Sequence, residues 1–351
     1  MKAMLLSEYN HLELTDLPKP APAADELLIE VAACGICGSD VHGYDGSTGR
    51  RIPPIVMGHE AAGVVAALGS EVSGFAVGDR VTFDSTVFCG HCEYCLRGQI
   101  NLCNNRQVLG VSCGEYRRYG AFAEYLTVPA RISCHLPDNF SFPEAAMLEA
   151  VSVALHGVAV SEMIGEESVL VIGAGMIGLL LLQSARAAGA AKVYIADVDP
   201  TRLKLATDLG TDEAIEASGA ALTEKILSLT NGRGVDIVLE AVGVDATIST
   251  AVDCVRKGGT VTLVGNVSPT VTLPLQKVVS RQIRMQGSCA SSGEYGQAID
   301  LIANGKIKVA PLITAVAPLN DGPSWFDRLH AREPNLMKIV LDPRPHAEVQ
   351  Q

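Results

Sequence analysis

Positive charge is scarce in this 351-residue sequence: 27 Lys and Arg stand against 39 Asp and Glu, a formal balance of −12. Such a surface repels phosphate backbones and anionic headgroups, which excludes nucleic acid and anionic membranes as partners. Long apolar runs without interruption are also missing. The most apolar stretch, residues 169–182, is broken by Gly173, Gly175 and Gly178, so no transmembrane span is expected. The first residues reach an acid at Glu8 without the apolar core of a signal peptide. A cytoplasmic location is therefore the expectation. No internal repeat and no low-complexity linker divides the chain, and its length predicts two domains of ordinary size. Cysteine is plentiful, at ten. In a reducing compartment that number points to metal ligands or free thiols before disulfides.

The clearest signal runs from Ser168 to Asp199. Val169 to Ile172 is β-branched and apolar, as a buried parallel strand is. Gly173, Gly175 and Gly178 then form G-x-G-x-x-G, followed by a helix from Met176 to Ala188 that Gly189 ends. Gly173 permits the tight turn, Gly175 the approach of a pyrophosphate, and Gly178 the packing of helix on strand. The helix N-terminus, at Met176 and Ile177, offers free N–H groups to a diphosphate. A second strand ends at Asp197, whose carboxylate can accept both ribose hydroxyls of NAD and would repel the extra phosphate of NADP. Arg202 could lie over the adenine. Further strands are expected at 235–239, 260–265 and 283–287. Ligands of open α/β sheets sit at the carboxyl ends of strands, which brings Val242, Gly243, Val264 and Gly265 to the cofactor.

Two cysteine-bearing segments precede this unit. Cys89, Cys92, Cys95 and Cys103 follow C-x2-C-x2-C-x7-C on a polar lobe, residues 89–103. Four thiolates so close read as a closed tetrahedral zinc site with a structural role, an iron–sulfur cluster being the rival. Upstream, Cys37 in C-G-I-C-G-S-D-V-H reads as a single thiolate ligand and Cys34 as a small core residue. His59 and Glu60 are adjacent; on a turn at a strand end both could reach one ion. Together with Cys37 they form an N/S/O set that suits zinc. Glu149 is placed in the middle of an apolar helical run, residues 145–160, where a carboxylate is costly unless paired or metal-bound. Ser141 is a plausible N-cap, with Glu144 completing a capping box. Arg50 and Arg51 could meet a phosphate or form a solvated surface pair.

These segments together resemble the zinc-dependent medium-chain dehydrogenase/reductase family over essentially the whole chain. The carriers are Cys37-Gly38-Ser39-Asp40-Val41-His42, Gly58-His59-Glu60-Ala61-Ala62-Gly63 with Gly69 and Val72, Val77-Gly78-Asp79-Arg80-Val81, the four-cysteine lobe and the glycine turn. Ser39 with Glu149 is similar to the polyol branch, which includes sorbitol and galactitol-1-phosphate dehydrogenases. Three departures stand out: Ala150 where a Pro commonly follows the Glu, and Ala290 and Ser291 where sorbitol dehydrogenases carry Arg-Tyr.

The resemblance implies an α/β protein: a doubly wound Rossmann domain, residues 152–288, inserted in a mainly β, chaperonin-like catalytic domain, residues 1–151 and 289–351. It implies a catalytic zinc on Cys37 and His59, with Glu60 a close or alternating ligand and Glu149 binding directly or through water. Ser39 and His42 match the family's proton relay. The expected reaction is NAD-dependent oxidation of a secondary alcohol, a polyol or polyol phosphate, to the ketone. A threonine- or diol-type dehydrogenase is the alternative; a zinc hydratase or hydrolase, or a non-catalytic NAD-binding protein, are those of another class. The family assembles as dimers or tetramers through the Rossmann sheet edge.

Overall fold

Short, β-branched runs separated by helices force a parallel sheet in the middle of the chain, because each crossover returns the next strand in the same direction. The computed structural model describes residues 1–113 and 116–344. It divides into two units, one made of Met1–Glu149 with Val309–Gln351, the other of Ala150–Lys308. The return to the first unit thus comes after residue 308, not after 288. The helix Tyr295–Ala303, read from the sequence as part of the returning tail, belongs to the second unit.

In the second unit six strands lie in the order Glu213–Glu216, Lys192–Asp197, Ser168–Ile172, Val235–Glu240, Val255–Leu263, Arg284–Gly287. All neighbours pair in parallel. In chain order this is 3-2-1-4-5-6, so the direction of winding reverses beside Ser168–Ile172, the strand that feeds the glycine turn. Side chains alternate across a strand. Leu170 and Ile172 join a buried cluster with Leu222, Ile226 and Val252 of the helices Gly219–Leu229 and Asp245–Cys254. The intervening Val171 lies on the other side, toward Gly178 of the helix Met176–Ala187. Helices therefore cover both faces, as a doubly wound sheet requires. Glu213–Glu216 escaped the sequence reading, since Glu-Ala-Ile-Glu has little β character.

The first unit is built around Glu26–Gly35, a ten-residue strand that pairs antiparallel with Glu60–Leu68, Tyr125–Pro129 and Lys338–Asp342. These belong to a seven-stranded mixed sheet, and a three-stranded sheet carries Lys2–Glu8. Met4, Ile29, Phe83, Phe122 and Phe326 fill its core. Burying each such side chain contributes about 1.5–3 kcal/mol. Register decides what meets at the end of the central strand: Gly35 pairs with Glu60 on one side and Val340 on the other. Among the described residues no helix is long and apolar enough to cross a membrane.

Candidate metal centres and nucleotide site

Cys37 caps the helix Gly38–Tyr44, and His59 ends the loop that leads into Glu60–Leu68. One ligand atom from each of Cys37, His59 and Glu60 lies within 4.8 Å of the others. The adjacent His and Glu reach one point because His59 lies off the strand, as the turn reading required.

The surroundings of this trio are charged and, around His59 and Glu60, buried. His59 Nδ1 faces Asp40 Oδ1 at 3.4 Å, too poorly aligned for a hydrogen bond, and has no other partner among the described residues. Burial lowers the basicity of His59, but the Asp40 carboxylate outweighs it and the imidazole ends well above its ordinary value. Burial would raise Asp40 itself; His59 and Arg51 hold it well below the usual carboxylate range. Glu60 is fully buried. One of its oxygens accepts from Lys338 Nζ, which also donates to the Ile36 carbonyl at 3.1 Å. The other, Oε1, has no hydrogen-bond partner among the described residues. An orphaned buried carboxylate oxygen beside a thiol and an imidazole is costly, and a divalent cation removes that cost. The donor set therefore fits zinc.

Glu149 stands outside this ligand cluster. The expected single helix is broken: Phe142–Ala145 ends at Ala146, and Leu148–Ala159 begins afresh with Glu149 in its first turn. Glu149 is thus near a helix start, not mid-helix. Burial pushes its carboxyl up to about 7, with His59 drawing it down and Glu60 pushing it further up. Ser141 is the N-cap, its Oγ accepting from Glu144 N at 3.3 Å, but the Glu144 carboxylate accepts from that same hydroxyl instead of the Ser141 backbone N–H, so only half of the expected capping box forms.

Ser39 and His42 share the helix Gly38–Tyr44 and both are exposed. Ser39 Oγ donates to Cys37 Sγ at 3.2 Å and accepts from Arg51 Nη2 at 3.0 Å. Arg51 is neither a surface residue nor free for a phosphate: it is buried and paired with Asp40. Arg50 alone of that pair is exposed.

The four cysteines of the lobe come together as their spacing predicts. The sulfurs of Cys89, Cys92, Cys95 and Cys103 all lie within 4.8 Å of one another. The Cys92–Cys95 separation is 3.5 Å, and the backbone N–H groups of Cys89 and Asn105 donate to Cys103 Sγ. The His91 backbone N–H, foremost, draws the Cys89 thiol down to about 5. Four convergent sulfurs cradled by amides fit a closed zinc site.

In the second unit Gly173 adopts φ +98°. A side chain at Gly178 would lie 1.7 Å from the Gly173 carbonyl, while Gly175 faces open space. The tight turn at Gly173 and the close packing at Gly178 are thus present. The Asp197 carboxylate is held at its strand end by the backbone N–H groups of Ala174 (2.6 Å), Val198 (2.7 Å) and Asp199 (2.9 Å). Arg202 is half-exposed and lies 3.4 Å from Asp199. Val242, Gly243, Val264 and Gly265 follow the ends of their strands, as expected. Buried Glu240, missed in the sequence, accepts from the backbone N–H groups of Val242 and Gly243 at 2.9 Å and pins that loop. An acid at the end of an apolar strand was its only signal.

A doubly wound unit with a glycine turn and strand-end acid, and a β unit with one open and one closed metal centre, define a zinc-dependent nucleotide-linked dehydrogenase. Comparison with known proteins agrees. Residues 23–138 match the alcohol dehydrogenase GroES-like domain and residues 177–304 the zinc-binding dehydrogenase domain. The chain is 33% identical to a sorbitol dehydrogenase of Bacillus subtilis over 98% of its length and 97% of that protein's. It superposes on galactitol-1-phosphate dehydrogenase from Escherichia coli with TM-score 0.89 at 27% identity, covering 98% of this chain and 100% of the other. A zinc-binding dehydrogenase from Sinorhizobium meliloti, bound to NADP, gives TM-score 0.87 at 30% identity over 97% and 99%. The chain belongs to the zinc-dependent medium-chain dehydrogenases. It is an oxidoreductase acting on CH–OH groups, with zinc and NAD(P) as its cofactors.

Proposed function

We propose that the protein oxidises a secondary hydroxyl of a polyol or polyol phosphate to the ketone, with NAD as acceptor. The observation that carries this reading is the place of Glu149, a half-buried acid in the first turn of Leu148–Ala159, close enough to His59 and Glu60 to feel both charges. Alcohol dehydrogenases of the family usually place a cysteine ligand there. A single thiolate leaves the ion more electrophilic than two would. Zinc would supply the Lewis acidity that makes an alcohol acidic near neutrality, and the nicotinamide would accept the hydride. The chain's residues do the rest. Cys37, His59 and Glu60 hold the ion, with Glu149 tuning its charge directly or through water. Ser39 and His42 carry the proton away. Gly173, Gly175, Met176 and Ile177 receive the diphosphate; Val242, Gly243, Val264 and Gly265 line the nicotinamide end; Arg202 covers the adenine.

Absorbance at 340 nm with NAD and a panel of sugar alcohols, their phosphates, threonine and simple diols tests this. Reduction with polyols ahead of the rest is expected. Threonine or a diol in first place would move the assignment to that branch. No reduction by any secondary alcohol, with both metal sites filled, would leave a hydratase or a non-catalytic NAD-binding protein.

The choice of NAD rests on Asp197. Its rigidly held carboxylate suits two ribose hydroxyls and opposes a phosphate. Asp197→Ala is expected to lower kcat/KM for NAD by about 10- to 100-fold, the worth of charged hydrogen bonds, and to raise that for NADP. A wild-type preference for NADP would overturn the assignment. We further place the enzyme in the cytoplasm, where thiolate ligands stay reduced. We propose a homodimer or homotetramer formed through Arg284–Gly287, the edge strand of this sheet among the described residues, beside which Val279 is exposed.

A further inference from the structure

Arg51 is a buried cation in a cradle made for it. Its side chain is 4% exposed and that of its partner Asp40 is 0%. Nε and Nη2 donate to Asp40 Oδ1 at 3.1 and 2.9 Å, and Nη2 also donates to Ser39 Oγ at 3.0 Å. The stem runs over Gly43 on the same helix as Ser39. Any side chain there would come within 2.1 Å of Arg51 Cγ. Asp40 in turn faces His59 and accepts from the Cys37 backbone N–H at 3.4 Å. One guanidinium therefore touches the carboxylate behind the histidine ligand and the hydroxyl beside the thiolate ligand.

We propose that Arg51 is a positioning residue for the Ser39 hydroxyl, in addition to neutralising Asp40. A serine oxygen has one hydrogen and two lone pairs. Arginine, which can only donate, fills one lone pair; the hydrogen is directed to Cys37 Sγ. The single remaining lone pair is the one that accepts the proton of the substrate's hydroxyl, and the hydrogen first held toward Cys37 is then the one released toward His42. Without Arg51 the hydroxyl rotates freely. Lysine cannot replace it, because one ammonium cannot hold Asp40 and Ser39 with the planar fork's geometry. The proposal rests on the dehydrogenase reading for its kinetic consequences.

The test compares Arg51→Lys, Ser39→Ala and the double variant in the NAD-linked alcohol assay. The cobalt-substituted protein supplies a readout independent of turnover. Arg51→Lys is expected to lower kcat by roughly 10²-fold, the usual worth of a positioned proton-transfer group, with KM for NAD unchanged. The double variant should be no worse than Ser39→Ala alone, since Arg51 acts through that hydroxyl. The thiolate-to-cobalt absorption band should shift in both single variants, because Ser39→Ala removes the hydrogen bond onto Cys37 and Arg51→Lys leaves it unordered. Effects that multiply in the double variant, or a cobalt band unmoved by Arg51→Lys, overturn the proposal. Gly43→Ala displaces the same guanidinium without changing charge. If Arg51→Lys fails to fold, Gly43→Ala decides: the band must shift there, and an unshifted band refutes the role. Should the wild type oxidise no alcohol at all, the functional reading fails while the cobalt band still reports on Arg51.

Discussion

Cys37→Ser is expected to leave a folded protein that binds one zinc fewer than the wild type, with alcohol oxidation lowered by about 10³-fold or more. The two ligand clusters are separate in kind: Cys89, Cys92, Cys95 and Cys103 use four sulfurs and leave no vacancy, whereas Cys37, His59 and Glu60 are three mixed donors. Cys37 is the trio's sole thiolate, so its loss removes most of the site's affinity for a borderline-soft ion. Losing the Lewis acid forfeits several kcal/mol of stabilisation on the developing oxyanion, and each 1.36 kcal/mol is tenfold in rate. The helix that Cys37 caps is packed through Val41 and Tyr44, and a serine hydroxyl serves as an N-cap in place of the sulfur. Elemental analysis, circular dichroism and the 340 nm assay read metal, fold and turnover separately. Undiminished turnover in a folded variant with one zinc would remove the trio from the chemistry.

Much of this was legible because the signals are local. The glycine turn, its flanking strand and Asp197 fall within thirty residues, and Gly173 and Gly178 answer backbone demands that no other residue meets. The four-cysteine lobe is likewise a matter of spacing on a short loop. Where the reading fell short, the cause was partnering over long separations or burial of charge. Lys338 is 278 residues from Glu60, and a lysine near the end of a chain gives no hint that it is fully buried. Arg51 sits beside Arg50 in a polar loop, so nothing in the sequence marked one as buried and the other as exposed. The break at Ala146 that sets Glu149 in a new first turn has no proline or glycine to announce it. The limit of the inserted unit was missed because Gln183 draws the Lys308 backbone to the helix Met176–Ala187, its amide bonding both the N–H (2.7 Å) and the carbonyl (3.2 Å). A polar residue on an apolar helix carries no statement of what it will hold.

The largest stability effect is expected at Lys338. It and Glu60 are both 0% exposed, and their strands are joined through Gly35. A side chain at Gly35 would lie 2.3 Å from Glu60 Oε2 and 3.3 Å from Lys338 Cδ, so the pair occupies the space that glycine leaves. Burial by itself would lower the lysine, but Glu60 and then Cys37 raise it above its ordinary value. A group raised on folding contributes stability that is complete below the unfolded pKa and is lost as pH climbs through the folded one. The pair is therefore intact throughout the neutral range. Lys338→Met keeps the volume and strands the Glu60 carboxylate, at a cost of about 3–5 kcal/mol. Glu60→Gln with Lys338→Met removes both charges and should recover most of that loss, because a neutral pair carries no unpaired ion. Urea unfolding of the zinc-free proteins measures this without interference from metal. A Lys338→Met protein as stable as the wild type, or a double variant less stable than the single, would mean that the ion pair does not hold the floor of the metal site.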